Sequence, residues 1–276
     1  MSPIFPKFLV FAAVFCVLAS APARAAPVDV ELVLAVDASG SVDEEEYILQ
    51  RAGYAKAFSH PRVIAAIRSG VHRAIAVTYV EWTGPGLYEV IAGWTLIDDA
   101  KSAKGFAERL FTSPRELFSG GTAVGDAIIY SATLFDDNGF EGARRVIDIS
   151  GDGPTNKGRP ASWARDEAVR QGITINGLPI IDEYYGLHVF FLDHVIGGPG
   201  AFAIPAKDFA SFQSAILSKL IREIAGDDPS SRPGKIAVDG AAEIIRAQAA
   251  ALHGHRDGAA QAARQTGGKG IIPASR

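Results

Sequence analysis

The chain has 276 residues, of which 48% are hydrophobic and 21% charged, a composition typical of a soluble globular protein. Its formal net charge of −4 argues against a nucleic-acid partner, which would require a basic surface. A single cysteine, Cys16, excludes an internal disulfide, so stability must come from a hydrophobic core.

Residues 1–25 have the pattern of a secretory signal peptide. Lys7 precedes an apolar run over 8–18, and Ala23-Arg24-Ala25, with small residues at its two ends, forms a cleavage site near Ala25. The run is shorter than the roughly 20 residues of a transmembrane helix, with an uncleaved anchor as the alternative. We therefore expect export to the periplasm or the extracellular space, without membrane insertion after cleavage. The mature chain would have no cysteine, and so no thiol catalysis.

Between residues 28 and 225, strand-like apolar runs alternate with amphipathic helical patterns, which predicts an α/β fold. Six strands are predicted, several of them apolar enough to be buried on both faces: 31–37, 74–82, 87–96, 144–150, 173–180 and 201–206. A tight turn at 83–86 makes the second and third strands an antiparallel hairpin, whereas the other connections cross over through helices. The prediction is a doubly wound, mostly parallel sheet in the order 3-2-1-4-5-6, with helices on both faces and one antiparallel edge strand.

Helical patterns occupy the connections. The first helix should begin at Asp43, which caps it together with Glu46, and its buried face should carry Ile48, Ala52 and Ala55. Further helices are expected at 63–68, 101–111, from 122 or 123 onward, 162–171 and 208–224. The helix after Gly120-Gly121 should bury Val124, Ala127, Ile128, Ala132 and Phe135. The apolar stretch 189–192 favours neither a helix nor a strand.

From Gly226 onward the composition changes to Asp, Pro, Ser, Gly and Ala. This predicts a flexible tail over 227–276, with one loose helix at 241–251. His253 and His255 could bind a metal, but a flexible tail is their simpler setting. The predicted organisation is therefore a signal peptide (1–25), one domain (26–226) and a tail (227–276).

Three loops carry oxygen-bearing side chains. The stretch LVLAVDASGSVDEEEY (32–47) places Asp37, Ser39 and Ser41 after the first strand, while Thr122 precedes a helix and Asp152 follows the fourth strand. Ligands of open α/β sheets bind beyond the carboxyl ends of the strands. Hydroxyl and carboxylate oxygens suit Mg²⁺, Mn²⁺ or Ca²⁺ rather than zinc or copper.

The motifs DASGS, GGTAVGDAI and SGDG resemble the metal-ion-dependent adhesion site of von Willebrand factor type A domains, over about residues 28–225. The five positions of that pattern are Asp37, Ser39, Ser41, Thr122 and Asp152. The resemblance implies that the two serines and the threonine bind the metal directly, and that the aspartates act mainly through water. It also implies an open coordination position that accepts a Glu or Asp side chain of a protein partner. The phrases TYVEW, RRVIDISGDGPTN, GITINGLPI and VIGGPGAF further resemble a bacterial family of unknown function, DUF1194.

A metal alone would hold such a partner weakly. A carboxylate ~4 Å from one unbalanced positive charge gains roughly 4 kcal/mol at an effective dielectric constant of about 20, which corresponds to about millimolar affinity. Surrounding side chains must add to this, and the candidates are Glu81, Trp82, Asn156 and Lys157. For Glu81 and Trp82, a solvated edge and packing are the simpler interpretations.

Two further acids call for an explanation. Asp148 lies in a strand that should be buried, where a carboxylate must be paired or protonated, and Arg144, Arg145 or His72 could pair with it. A structural ion pair is favoured over catalysis. Asp126, in the first turn of its helix, is most simply a partner of the helix dipole.

The sequence thus predicts a non-catalytic module that binds a protein or peptide through an acidic side chain and a divalent cation. A metal-dependent phosphatase that uses Asp37 as its nucleophile is an alternative, although Ser39 stands where that chemistry needs a second acid. A scaffold with a vestigial site is the third hypothesis. No G-x-S-x-G elbow or phosphate-binding glycine loop is present in the sequence.

Overall fold

The computed structural model describes residues 25–181 and 184–226. The strands are β1 (Ala26–Val28), β2 (Val30–Asp37), β3 (Ile75–Trp82), β4 (Tyr88–Ile97), β5 (Phe140–Gly142), β6 (Arg145–Gly151) and β7 (Ile173–Pro179). The helices are α1 (Glu44–Phe58), α2 (Pro61–Ser69), α3 (Ala100–Thr112), α4 (Val124–Thr133), α5 (Ala161–Arg170), α6 (Leu187–Phe190) and α7 (Phe209–Ala225). A single π-helical turn (Phe191–Val195) continues α6, so the ambiguous stretch 189–192 is helical.

The central sheet has five strands in the order β4-β3-β2-β6-β7, with β4 antiparallel and the others parallel. This confirms the predicted α/β class and the order of the first five strands. The prediction of a sixth strand at 201–206 was wrong: this segment makes only isolated bridges, from Ala203 to Gly177 of β7 and from Ala206 to Ile180 just after it. The amides of Ile204 and Ala206 donate to the carbonyl oxygens of Gly177 and Pro179, but Pro179 has no backbone N–H to return a hydrogen bond to this segment, which interrupts a regular ladder.

A second, two-stranded sheet was not predicted. In it β1 pairs with β5 in parallel, from Ala26 opposite Phe140 to Val28 opposite Gly142. Strands of three residues are too short to give a periodic hydrophobic pattern, so the sequence offered no signal for them.

Both faces of the central sheet are covered. On one side, Leu32, Leu34 and Val36 of β2 belong to the core formed with α1, α2, α3 and α7. On the other side, Val33 and Ala35 belong to the core formed with α4, α5 and α6. This alternation explains why the strand reads as continuously apolar.

The capping of α1 was predicted correctly, but its buried face was not. Asp43 Oδ1 accepts a 2.9 Å hydrogen bond from the amide of Glu46, whose Oε2 accepts one of 2.9 Å from the amide of Asp43. Ile48, however, is 52% exposed, and the helix buries Tyr54 and Phe58 instead. The larger aromatic side chains fill the space beneath the helix, and the spacing of apolar residues alone does not predict which of them are buried. The predicted buried stripe of α4 is confirmed at all five of its positions.

Asp148 is fully buried in β6 and forms the expected ion pair, but with a residue that the sequence did not indicate. Its Oδ1 lies 2.6 Å from Nζ of Lys219 on α7. Lys219 also contacts Glu223, whose Oε1 accepts a 3.0 Å hydrogen bond from Asn176. Burial raises the pKa of Asp148, and it raises that of Glu223 to about 7.

The arginines proposed for Asp148 have other partners. Arg145 lies 3.7 Å from Glu31, and Arg144 donates to the carbonyl oxygen of Ile224. His72 hydrogen-bonds through its backbone amide to Asp29. The partner of Asp148 was missed because it lies on a helix more than seventy residues away in the sequence.

The predicted signal peptide, apart from Ala25, and the predicted tail with His253 and His255 lie outside the described residues. The division of the chain at 25 and 226 therefore stays a prediction. Within the described ranges, none of the helices combines the length and apolar character needed to cross a bilayer.

Candidate metal site

The loops that carry the predicted site residues meet at the carboxyl edge of the sheet. Strand β2 ends at Asp37, and the neighbouring parallel strand β6 ends at Gly151, with Val36 opposite Ser150. The segments that follow these two strands therefore leave the sheet side by side. A third segment, 120–123, leads into α4 and joins them, since the amide of Ala123 donates to the carbonyl oxygen of Thr83 at the end of β3.

Four of the five predicted residues form a chain of contacts. Asp37 Oδ1 accepts a 2.8 Å hydrogen bond from the amide of Ser39. The hydroxyl oxygens of Ser39 and Ser41 are 3.1 Å apart, and Ser41 donates a 2.9 Å hydrogen bond to Asp152 Oδ1. Two loops that are more than a hundred residues apart in sequence thus meet through their oxygen-bearing side chains.

Thr122, the fifth residue, lies beside the Asp152 loop. A Cβ atom placed on Gly153 would be 3.8 Å from its Oγ1. Asn156 fixes its position: its Oδ1 accepts a 2.8 Å hydrogen bond from the Thr122 amide, and its own amide donates to the Thr122 carbonyl oxygen at 2.9 Å. The structure therefore gathers all five predicted residues in one place.

The two carboxylates of the site are both buried and lie close enough for their negative charges to repel each other. Asp37 is 1% exposed and Asp152 is 9% exposed. Burial and, after it, the nearby charge of Asp152 raise the pKa of Asp37 to about 8, against the lowering effect of the hydrogen bonds from Ser39. Asp37 Oδ2 is buried and has no hydrogen-bond partner among the described residues. A buried oxygen in this state is costly unless a cation or a proton satisfies it.

Glycines allow the loops to approach this closely. A Cβ atom on Gly151 would lie 3.0 Å from Asp37 Oδ2. Gly120 has a φ angle of 131°, and a Cβ there would lie 2.6 Å from Thr83 Oγ1. A side chain at either position would therefore displace a loop that presents oxygen atoms to the site.

Glu81 and Trp82, named as candidates for the rim, do not lie there. Both are 1% exposed, because β3 lies inside a sheet covered on both faces. Glu81 Oε1 forms a 2.9 Å ion pair with Arg51 of α1, so it is not a solvated edge residue either. Trp82 packs in the core beneath α4, which agrees with its simpler interpretation. Asn156 and Lys157, by contrast, are exposed beside Thr122.

Several residues that support the site were missed. Arg115 donates to the carbonyl oxygen of Val42 at 2.8 Å and pairs with Glu44, which holds the 113–123 segment against the start of α1. Asp126 is more than a dipole partner, because its Oδ2 accepts a 2.6 Å hydrogen bond from the amide of Arg159. A loop arginine whose targets are backbone carbonyls leaves no recognisable pattern in a sequence.

The donor set consists of two carboxylates and three hydroxyls. Consistent with this, the described part of the chain contains no group of three or more His, Cys, Asp or Glu side chains that could hold a metal. Any cation at this place would therefore be bound by hard oxygen atoms, several of them uncharged.

The arrangement defines the class of the domain: the fold is that of a von Willebrand factor type A domain, as the sequence resemblance implied. The chain belongs to the family described as "Protein of unknown function (DUF1194)", whose profile matches residues 27–228. No functionally curated protein shows significant sequence similarity to the chain.

Solved structures with similar folds include two proteins. Proximal thread matrix protein 1 from the mussel byssus matches with a TM-score of 0.56 at 12% identity, over 73% of this chain and 49% of that one. A further structure of the mussel protein is described as having a zinc-occupied MIDAS motif. It matches with a TM-score of 0.52 at 12% identity, over 74% of this chain and 50% of that one. The pilus adhesin SpaC from Lactobacillus rhamnosus GG, in its open conformation, matches with a TM-score of 0.52 at 16% identity, over 73% of this chain and 31% of the adhesin.

The chain thus spans about half the length of the mussel protein and about a third of the adhesin. At these levels of identity, the likeness shows the fold alone.

Proposed function

We propose that the protein is an exported, non-catalytic module that binds a protein or peptide partner through a divalent cation. Two observations carry this proposal: the chain of contacts from Asp37 through Ser39 and Ser41 to Asp152, and the buried Oδ2 of Asp37, which has no hydrogen-bond partner among the described residues. Export rests on the N-terminal sequence pattern alone.

The residues fit a hard cation. Ser39, Ser41 and Thr122 would bind it directly, while Asp37 and Asp152 would act mainly through water. The cation would balance the two carboxylates, since burial and, after it, the charge of Asp152 raise the pKa of Asp37. Its remaining positive charge would attract an acidic side chain of the partner. The zinc-occupied motif described for the mussel protein supports metal binding by a fold of this type.

Exposed apolar side chains at the same edge of the sheet favour a macromolecular partner. Leu87 lies in the turn between β3 and β4, Phe118 in the segment before Thr122, and Tyr184 and Tyr185 in the loop after β7. Their exposed fractions are 46%, 66%, 47% and 77%, respectively. Exposed aromatic and aliphatic side chains on loops at the same edge as a polar centre are consistent with a protein interface.

The phosphatase alternative is less well supported. Such chemistry needs an acid two residues after Asp37 to protonate the leaving group. That position is Ser39, whose hydroxyl lies against Ser41 and whose amide donates to Asp37. A non-catalytic role needs none of these groups to transfer a proton.

A pull-down tests the proposal directly. The mature chain is immobilised and exposed to a periplasmic extract, once with magnesium and once with a chelator. Wild type should retain one or more proteins only with magnesium, Thr122→Ala should lose them, and Ser214→Ala, on the exposed face of α7, should retain them. Recovery of the same proteins with and without the cation would contradict the proposal.

A further inference from the structure

An open groove adjoins the candidate metal site. It has a volume of about 680 Å³ and lies between the loop after β6, the first turn of α5 and the π-turn after α6. Asn156 and Lys157 line it from the loop, Ser162 from α5, and Phe190 and His194 from the opposite wall. Its volume falls within the range of about 300–1,000 Å³ that is common for ligand pockets.

The groove is continuous with the site. Asn156, which lines it, accepts the hydrogen bond from the Thr122 amide at 2.8 Å. A Cβ atom on Gly121 would lie 2.3 Å from Lys157 Cγ, so the lysine side chain rests against the segment that carries Thr122. A peptide with one side chain at the metal site could therefore continue into the groove along the same surface.

The charge of the groove is opposite to that of the chain as a whole. None of the nine residues that line it is acidic, although the chain has 31 acidic and 27 basic residues. Lys157 is exposed, and it forms no ion pair with any residue in the described ranges. The carboxylate of Asp126 lies beside Gly158 of the groove lining, but it is paired with Arg159. The positive charge of Lys157 is therefore left without a carboxylate of its own, which favours an acidic occupant.

The groove also offers an apolar contact. Phe190 is half-buried, and its ring centroid lies 5.4 Å from that of His194. Ala161 and Pro160 lie across from it at the start of α5. An aliphatic or aromatic side chain that enters here would contact these apolar groups.

We propose that this groove is a second subsite for the same partner. It takes an extended segment that carries a carboxylate for Lys157 and an apolar side chain for Phe190, while another acid of that segment is bound at the cation. This inference rests on the proposed function. Linking two weak contacts in one segment raises the affinity, because the second contact forms within an already bound complex.

The probe is a library of random peptides displayed on phage. The library is selected on the full mature chain in magnesium and eluted with a chelator, and the enriched peptides are synthesised. They should carry two acidic residues and an apolar residue nearby. Lys157→Glu should weaken their binding about five- to tenfold in fluorescence polarisation, since reversal turns an attraction into a repulsion. Lys104→Glu on α3, which packs on the other face of the sheet, should leave it unchanged.

A double-mutant cycle makes the test independent of folding defects. Replacing the second acid of the peptide by its amide should weaken binding to wild type to a similar extent, and should make Lys157→Glu nearly neutral. If magnesium-dependent peptides ignore both changes, the groove inference is wrong and the proposed function stands. If no peptide is released by the chelator, the proposed function fails and the groove inference fails with it.

Discussion

Asp37→Asn should have opposite effects on stability with and without a cation. The change keeps the shape of the side chain but removes the buried charge that the site concentrates at Oδ2. Without a cation, ionised Asp37 is unfavourable in the folded protein, because burial and Asp152 raise its pKa from 3.8 to about 8. With a cation, the same charge becomes the favourable partner of the metal.

The size of the effect follows from the shift in pKa. A carboxyl group whose pKa is raised in the folded state stabilises the protein fully below its unfolded pKa, and this stability is lost as the pH rises to the folded value. Between about pH 5 and pH 7, the cation-free wild type should therefore lose about 1.4 kcal/mol of unfolding free energy per pH unit from this residue. Asp37→Asn should lack this contribution.

Urea denaturation of both proteins in chelator, at a series of pH values, measures the difference. Subtracting the two curves removes the contribution of Glu223, whose raised pKa of about 7 is common to both. Magnesium at about 100 times its dissociation constant should stabilise wild type by about 2.7 kcal/mol, and the variant by much less. The exposed control Asp136→Asn should behave as wild type. Equal pH dependence in wild type and Asp37→Asn, or equal stabilisation by magnesium, would refute the reasoning.

Two further substitutions test how the site and the core are built. Gly151→Ala places a methyl group 3.0 Å from Asp37 Oδ2. It should reduce the free energy of unfolding by about 1–3 kcal/mol and weaken cation binding in calorimetry. The control Gly93→Ala, whose added methyl group would have nothing within 4 Å, should do neither. An unaltered cation affinity in Gly151→Ala would contradict the close approach of the loops. Lys219→Met leaves Asp148 buried without its cation and should cost about 3–5 kcal/mol in urea denaturation. If the loss matched that of the exposed control Lys104→Met, Asp148 would not depend on Lys219.

The sheet and the convergence of the five candidate residues could be predicted because their signals are local. Strands buried on both faces read as apolar runs, and Asp37, Ser39 and Ser41 follow such a run in a spacing that a simple turn does not require. Asp152 and Thr122 occupy matching places at other loops. Parallel strands bring their carboxyl ends to one edge, so chain order was sufficient to expect the residues to converge.

The features that the sequence did not predict depend on contacts between distant parts of the chain. Arg51 and Glu81 are 30 residues apart and bury each other's charge, which turned an expected rim residue into a core residue. Lys219 reaches Asp148 from the last described helix, and no spacing connects the two. The segment 201–206 is apolar enough for a strand, but Pro179 at the end of the neighbouring strand β7 has no backbone N–H to donate to it, so the two form only isolated bridges.

The central claim is that one hard cation lies among the oxygen atoms of Ser39, Ser41 and Thr122. Anomalous diffraction from crystals of the mature protein grown with Mn²⁺ tests it most directly, with Ser41→Ala crystals as the control. The account predicts one strong peak within coordinating distance of the Ser39 and Ser41 hydroxyl oxygens, and its loss or marked weakening in the variant. A well-ordered site with no peak there, or manganese bound only elsewhere on the protein, would contradict it.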